Sequence, residues 1–584
     1  MNKSDVVEIL EEIAVLLELK GENPFKSRAY SQGARTLELL TEDLGLIIQE
    51  ERLGEIKGIG AALQQKITEL VTTGKLGYYE ELKASIPEGM LAMLAIQGLG
   101  PKRIRQLHEK LGVASISDLE RACQENRVSE LAGFGLKSQL KLLEGIEQLK
   151  SFQNQHRYGD VIERAEEVQE ALRQHPDVIR VSIAGSLRRS KELIKDMDLL
   201  VSSSNPTSVM DYFVSLEGIV RVTNHGETKS SVIFEGGLQC DLRVVPDAQF
   251  ASALHHFTGS KEHNVMMRQR AIAQGKKMSE WGLFRIIKEG DEEKEESIQV
   301  RTEEELFREL GLSYVPPELR EAQGEIEAAE AGTLPRLMEW SELRGTFHNH
   351  TTASDGKNTL EEMAAAAEEI GLEYLGIADH SKASFQANGL SEERLLNQIE
   401  EIRRLNLHYE KKNFKIFSGI ECDILKGGEL DFEDSILAQL DYVVASIHSG
   451  FTASEEEMTA RIIRAMENPY VTMMGHLTGR LLLQRAPYAL NIPKLLEVAA
   501  ETGTWIELNA NPYRLDLDWR WWRKAQELGV KCVINPDAHR TEQLGYLKLG
   551  VQIARKGWLR KEDVINTEKL LSMTALLQKK KLDQ

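Results

Sequence analysis

The sequence predicts a multidomain α+β and α/β fold: an all-helical N-terminal region, a mixed α/β centre and a C-terminal distorted (β/α)7 barrel. Three observations carry this. From Met1 to Leu149 apolar residues recur at helical spacing, as in Val6, Ile9, Leu10, Ile13, Leu16 and Leu17, with almost no strand-like alternation. From Val178 the texture changes to β-rich runs, IRVSIAG, MDLLVS, SSVIF and CDLRVV, with helical stretches between them. From Arg344 onward short apolar runs alternate with helical stretches seven times: GTFHNH, YLGIADH, KIFSGIE, YVVASIH, VTMMGH, WIELNA and CVINPDAH. Strands alternating with helices imply right-handed crossovers and a parallel sheet, and so many units suggest an eight-stranded type of barrel with one unit missing. A chain of 584 residues also exceeds what one core holds, so several domains are expected.

The helical start carries a repeated apolar-Gly-apolar-Gly turn. It occurs at Ile56-Lys57-Gly58-Ile59-Gly60, at Ile96 to Gly100 followed by Pro101-Lys102-Arg103, and more loosely at Leu131 to Gly135. Such a turn between two helices lets backbone N–H groups approach a phosphate without a side chain in the way, and the helix dipole adds to the attraction. This is the helix-hairpin-helix logic of sequence-independent DNA grip, with Gly58, Gly60, Gly98, Gly100 and Lys102 as candidate contacts. The net charge of −20 argues against a nucleic-acid partner until its distribution is considered. Residues 51–150 hold 14 Lys and Arg against 13 Asp and Glu, and the acid excess lies elsewhere, notably between Glu289 and Glu305.

In the centre, Asp196 and Asp198 flank Met197 in an apolar β run, so both carboxylates project from one face of a strand. Asp241 sits in a second β run able to pair alongside. Three converging carboxylates suit two Mg²⁺ or Mn²⁺ ions, which activate a hydroxyl and neutralise a leaving pyrophosphate. Gly185 and Ser186, ten or so residues upstream, offer backbone amides and a hydroxyl to phosphate oxygens, and Arg188 and Arg189 add positive charge.

At the C-terminal ends of the barrel runs stand His348, His350, Asp355, His380, Glu421, His448, His476, Asp537 and His539. A mixed set of imidazoles and carboxylates suits Mn²⁺, Zn²⁺ or Fe²⁺, and nine donors are too many for one ion but enough for two or three sharing carboxylate bridges. Clustered ions of this kind activate a water and stabilise both oxygens of a phosphate ester in displacement. Cys123, Cys240, Cys422 and Cys532 are far apart, form no CxxC pair and are expected to be ordinary buried residues. No window approaches eighteen uninterrupted apolar residues, and Met1 to Glu12 is acidic, so no membrane partner and a cytoplasmic location are expected.

The motifs HNHTTASDG, ADHS, GIE, SIHS, GHLTGR and NPDAH resemble, in order, those of the polymerase-and-histidinol-phosphatase (PHP) family of phosphoesterases. The resemblance implies a trinuclear site on the nine residues above. The central constellation resembles the nucleotidyltransferase superfamily, and HHFTGSKEHNVMMR narrows it to the X-family DNA polymerases, relatives of DNA polymerase beta, in their bacterial form fused to a PHP domain. By that resemblance Phe257 and Gly259 line a sugar pocket, Asn264 contacts the incoming base, Arg268 approaches the template, and His256 stands where vertebrate relatives have Tyr. Lys66 falls at the family's lyase lysine, and Tyr30 matches a neighbouring aromatic.

The implied layout is a helical DNA-end and lyase-like domain over 1–80, a helix-hairpin-helix subdomain over 81–151 and a nucleotidyltransferase palm over 152–247. A nascent-base-pair or thumb-like subdomain over 248–316, a linker over 317–341 and a PHP barrel over 342–584 complete it. The implied function is a DNA repair polymerase that fills short gaps and trims 3′ ends as a 3′–5′ exonuclease, with possible abasic-site cleavage. Its implied partners are gapped or 3′-recessed DNA and dNTPs, for a monomer associated with the bacterial nucleoid when on DNA. Two competing readings are a DNA-end adaptor with a dead polymerase, and a small-molecule phosphatase.

Overall fold

The computed structural model describes residues 3–38, 40, 44–96, 98–152, 154–289 and 292–582, so Gln97 of the second glycine turn lies outside the described residues. The chain forms two compact units, Met1–Gln153 and Asn154–Gln584.

In the first unit every described element is helical, because its apolar residues fall on single helix faces. Leu10, Ile13 and Leu17 of the Lys3–Lys20 helix join Ile67 of Ala61–Thr73 and Ile104 and Leu107 of Pro101–Leu111 in one core. Left-handed glycines, Gly74 and Gly112, end the last two helices, and the Ser115 side chain caps Ile116–Gln124 by accepting from the Asp118 amide.

The second unit begins with a five-stranded sheet in the order Val178–Ile183, Asp196–Ser203, Gln239–Val245, Lys229–Phe234, Ile219–His225. Asp196–Ser203 and Gln239–Val245 run parallel, and the rest of the sheet is antiparallel. Two helices, Phe250–Thr258 and Lys261–Ala273, and a three-stranded antiparallel sheet follow, packed on Met267, Leu283, Leu306 and Phe307.

The C-terminal part has a three-stranded and a five-stranded parallel set. Lys415–Ser418 and Glu421–Asp423 are two halves of one run, interrupted at Gly419, where the Tyr442 ring fills the space a side chain would need, so the seven predicted β/α runs are present. Closure comes from side chains and a bridge: Asn349 pairs with Ala538, and the Phe347 amide donates to Asn535 Oδ1 at 2.9 Å.

The expected linker over 317–341 is a correction. This segment forms short helices at Pro317–Leu319 and Glu325–Ala331, and Leu319, Arg320, Glu325, Ile326 and Ala329 are buried. Its charges have specific partners: Arg320 with Glu303, Glu325 with His263, Glu321 with Arg189 and Lys556. A Glu- and Ala-rich segment looks solvated in isolation; burial of these acids follows from basic partners remote in sequence.

Candidate metal centres and DNA-binding turns

The parallel register places Asp198 directly beside Asp241, with Asp196 beside Gln239. Asp196 and Asp198 share a face, as their spacing predicts. Burial, then the charges of Asp196 and Asp241, pushes the Asp198 carboxyl up to about 7, and burial with Asp241 raises Asp196 as well. Asp241 is also buried, but hydrogen bonds from Lys229, Ser231 and Gln239 outweigh that and hold its carboxyl below the usual range. Lys229 Nζ lies 2.6 Å from Asp241 Oδ2, and Gln239 Nε2 donates to Oδ1 at 3.0 Å. The three carboxylates act on one another's charge, and an oxygen-only set of this kind is chemically suited to divalent cations.

Gly185 is required where it stands. Its φ is +61°, and a Cβ there would come within 2.2 Å of Asp198 Oδ2. Ser186 follows in the short helix Gly185–Arg188. Arg189, expected at the nucleotide, is engaged within the fold. Its Nε lies 3.1 Å from Glu321 Oε1 and its Nη1 donates to the Thr258 carbonyl at 2.7 Å, so the charge ties two chain segments together. Arg188 is likewise engaged, with Glu303 and the Thr258 hydroxyl.

Thr258 leads into the turn expected at the sugar. There Asn264 Nδ2 donates to the His256 carbonyl at 2.7 Å and to Gly259 O at 3.3 Å, while its Oδ1 is buried with no hydrogen-bond partner. A Cβ on Gly259 would strike that Oδ1 at 2.5 Å. Phe257 meets His256 edge-on and lies under Arg243, whose guanidinium is 4.4 Å from the ring centre. The Arg268 charge, with that of Arg243, acts on His256, whose imidazole burial pulls below its ordinary value. Arg243 and Lys229 were missed in the sequence. Arg243 follows Asp241 at strand spacing, a usable signal, whereas Lys229 reaches the site only through cross-strand pairing with Arg243.

All nine barrel residues converge. Ligand atoms within 4.8 Å of one another fall into four overlapping sets: His350, Asp355, His380 and His539; His348, His476 and Asp537; His348, His350 and Glu421; and His380, Glu421 and His448. Glu421 is the hub. Its Oε1 lies 3.3, 3.2 and 2.9 Å from Nε2 of His348, His448 and His476, and its Oε2 lies 2.8 Å from His380 Nδ1 and 3.8 Å from His350 Nε2. The residues fit a metal cluster on an observation of their own: His348 Nε2, both His350 nitrogens, His380 Nδ1, His476 Nδ1 and Glu421 Oε2 are buried and, despite short contacts such as that of His380 Nδ1 with Glu421 Oε2, are aligned for no hydrogen bond. Burial, with the nearby His539 and His380 rings, lowers His350 to about 4. Against burial, Glu421 and Asp423 raise His448 to about 10, and Asp355 and Asp537 raise His539 to about 9.

Behind these atoms stand residues the sequence reading missed. Glu507, fully buried, lies 2.7 Å from His348 Nδ1 and accepts from the His476 amide at 2.6 Å and Asn535 Nδ2 at 2.9 Å. Asp423 Oδ1 lies 3.0 Å from His448 Nδ1. Such carboxylates fix ring orientation and raise ligand basicity. Glu507 is an acid in the middle of the otherwise mostly apolar WIELNA run, so its signal was present; Asp423 lies two residues past Glu421 on one strand face. His476 and Asp537 hold positive φ, 24° and 52°, strain characteristic of a functional site.

In the first unit Gly58 and Gly98 have φ of +103° and +83°, and Gly60 and Gly100 cap the Ala61–Thr73 and Pro101–Leu111 helices. A Cβ at Gly60, Gly98 or Gly100 would meet nothing within 4 Å, so the turns are open on their outer side. Lys102 is exposed. Arg103 joins the second and third turns, donating to Gly98 O at 3.1 Å and Gly133 O at 3.2 Å. Lys66 Nζ lies 4.6 Å over the Tyr78 ring, which stacks on Tyr30 at 6.2 Å; the link between Lys66 and Tyr30 is a tyrosine the sequence reading did not single out.

The four cysteines are buried and free, and among the described residues no helix is long and apolar enough to cross a membrane.

Comparison with known proteins agrees with this geometry. Family models match for a helix-hairpin-helix domain over residues 1–76, a SAM-like helix-hairpin-helix tandem over 90–148, a DNA polymerase beta thumb over 253–321 and a PHP domain over 346–511. The thumb match runs past 316 into the segment found packed above. The chain is 29% identical to a probable phosphatase of Thermoanaerobacter sp. (strain X514), across 38% of this chain and 89% of that protein. A probable phosphatase of Caldanaerobacter subterraneus subsp. tengcongensis is 30% identical across 38% of this chain and 85% of its own length. The DNA polymerase/3′-5′ exonuclease PolX of Bacillus subtilis (strain 168) is 40% identical over 584 residues, 99% of this chain and all of that protein. With that coverage at both ends, the chain belongs to the PolX family of DNA polymerase/3′-5′ exonucleases.

Proposed function

We propose that the chain fills short gaps in DNA by nucleotidyl transfer at the central carboxylates and trims 3′ ends at the barrel cluster. The observation that carries this reading is the presence of two chemically distinct donor clusters in one unit: three aspartates on adjacent parallel strands, and nine imidazoles and carboxylates at barrel strand ends.

Mg²⁺ or Mn²⁺ held by Asp196, Asp198 and Asp241 would supply hydroxyl activation and charge neutralisation. The chain's own residues do the rest. Lys229 keeps Asp241 ionised, Gly185 leaves the Asp198 carboxylate its place, and Gly185 and Ser186 present backbone and hydroxyl groups to the triphosphate. Phe257 and Gly259 wall the sugar, Asn264 keeps a free acceptor near the base, Arg268 faces the template, and His256 sets the contact with the 2′ position. A primer 3′-hydroxyl attacks the α-phosphate of a dNTP, and pyrophosphate leaves. Arg189 acts here through the turn it ties, without touching the nucleotide.

In the barrel, two or three divalent ions (Mn²⁺, Zn²⁺ or Fe²⁺) on the nine named residues would supply an activated water for the 3′-terminal phosphodiester. Glu507 and Asp423 hold the His348 and His448 rings in line. Gly58, Gly60, Gly98, Gly100 and Lys102 hold DNA through its phosphates without reading sequence. We place Lys66 as a lyase nucleophile toward abasic sugars, and the protein as a cytoplasmic monomer. The domain boundaries stand as proposed above, with 317–341 as a packed connection whose start lies in the thumb core and whose Met338 joins the barrel.

The deciding experiment pairs two variants. Asp241→Ala is expected to abolish dNTP incorporation and spare 3′ degradation, and His348→Ala to do the reverse. Loss of both activities in each variant would refute two independent sites. The likeness to probable phosphatases favours a second reading of the barrel, as a small-molecule phosphatase; faster hydrolysis of histidinol phosphate than of a 3′-recessed duplex would establish it.

A further inference from the structure

The walls of the proposed nucleotide pocket are held from outside the palm. Lys556, the last residue of the Tyr546–Lys556 helix in the barrel, is fully buried. Its Nζ donates to the Arg189 carbonyl at 2.8 Å, to Glu321 Oε1 at 2.7 Å and to the Glu318 carbonyl at 3.3 Å. Three acceptors for three ammonium protons leave no donor unmet.

Two of those acceptors lead directly to the pocket. Arg189 follows the helix that carries Gly185 and Ser186. Its guanidinium spans Glu321 and the Thr258 carbonyl, one residue before Gly259. One ammonium therefore anchors both the 185–189 turn and the 258–259 turn. The same palm segment is held again at Glu192, whose Oε1 lies 3.8 Å from both Arg480 and Arg520 of the barrel. A buried charge with directional partners tolerates little displacement, because any shift leaves charged groups unmet.

We infer that Lys556 is a positioning residue for nucleotidyl transfer, through which the barrel holds the nucleotide pocket in shape, a role separate from its own donor cluster. This rests on the reading of the central carboxylates as a polymerase site. Removing the ammonium frees the Arg189 carbonyl and takes from Glu321 Oε1 one of its two donors, leaving Arg189 Nε as the other, so the 185–189 turn loses a direct fixed point and the 258–259 turn, tied through Arg189, an indirect one. The DNA-gripping turns and the barrel donors are untouched.

The test uses the full chain and single-nucleotide gap filling. Lys556→Met is expected to raise the KM for dNTP about tenfold or more, as misplacement of a binding wall does. Affinity for gapped DNA and kcat/KM for 3′ degradation should each stay within about threefold of wild type, because neither site includes the strut. Glu321→Gln keeps an acceptor of the same shape and is expected to shift KM in the same direction by less. An unchanged dNTP KM in folded Lys556→Met would overturn the inference. So would parallel loss of both activities with a lowered melting temperature, which would reduce the strut to general stability. Should Lys556→Met fail to fold, an unchanged KM in Glu321→Gln overturns it equally. If the wild-type chain incorporates no dNTP that Asp241→Ala abolishes, the polymerase reading itself fails and takes the inference with it.

Discussion

Replacing Gly185 with alanine separates backbone strain from active-site geometry. The residue has φ +61°, and an added Cβ would lie 2.2 Å from Asp198 Oδ2 and 3.0 Å from its Cγ. Relief requires the carboxylate to move by about 1 Å, since heavy-atom contacts settle near 3.5 Å and somewhat less to oxygen. The left-handed conformation costs about 1–2 kcal/mol for a non-glycine residue, which a domain with about 5–15 kcal/mol of stability survives. Misplacing a reacting group by about 1 Å costs about 100-fold in rate, equivalent to about 2.7 kcal/mol of barrier. Gly185→Ala should therefore remain folded, lose about 100-fold in dNTP incorporation and retain 3′ degradation. Gly275→Ala is the matched control: its φ is +69° and nothing lies within 4 Å of the new Cβ, so it carries the strain without the collision. Single-turnover incorporation on a one-nucleotide gap, with melting curves of both variants, measures the difference. Incorporation by Gly185→Ala equal to that of Gly275→Ala would refute the placement of Asp198 as a reacting group.

The barrel hub gives a second expectation: Glu421→Gln should lower bound transition metal, read by elemental analysis, and reduce 3′ degradation by about 1,000-fold, since cluster metals contribute several kcal/mol. Glu303 is buried, which by itself raises its carboxyl, but Arg320 and Arg188 together bring it well below the usual range. A depressed folded pKa contributes stability that is present above the unfolded value and lost as pH falls below it. Denaturant midpoints should accordingly fall below about pH 4.3 in wild type and much less steeply in Glu303→Gln, which starts about 3–5 kcal/mol lower. A wild-type midpoint flat from pH 7 to 3 would contradict the pairing. Borohydride should trap the chain on an abasic-site oligonucleotide, and equal trapping by Lys66→Ala would remove that lysine from the lyase role.

What the sequence disclosed was whatever depends on spacing along the chain. Asp196 and Asp198 share a face because two is the strand period, and the glycine turns were legible because their function lies in the backbone. The seven barrel runs, six of them ending in His or Glu, showed both the architecture and the donors in one pattern. What stayed hidden depends on pairing between distant segments. Nothing near Lys229 indicates that its ammonium meets Asp241, because that contact exists only once Lys229 pairs with Arg243. Arg189, adjacent to a phosphate-binding turn, suggested a nucleotide contact; its partner Glu321 lay 132 residues away in a segment that looked solvated. Acidic stretches are ambiguous for this reason: the same Glu-rich composition serves a free linker or a set of buried ion pairs, and only remote cations decide.

The two donor clusters solve opposite electrostatic problems, and this bears on how one chain keeps two metal chemistries apart. The palm set is oxygen only. Its repulsion is offset by Lys229 at 2.6 Å from Asp241 and by the nearby Arg243 charge on Asp198, so it gathers without soft donors. Hard cations that prefer oxygen, Mg²⁺ and Mn²⁺, suit such a set. The barrel set offsets its carboxylates with imidazoles, six of them among nine donors, and Arg514 adds a guanidinium, 3.2 Å from Asp537. Nitrogen donors shift preference toward Zn²⁺, Fe²⁺ and Mn²⁺. On ligand atoms alone Mg²⁺ would suit only the first set and Zn²⁺ or Fe²⁺ the second, while Mn²⁺ would suit either, so the donor chemistry separates the two sites for every one of these ions but that one.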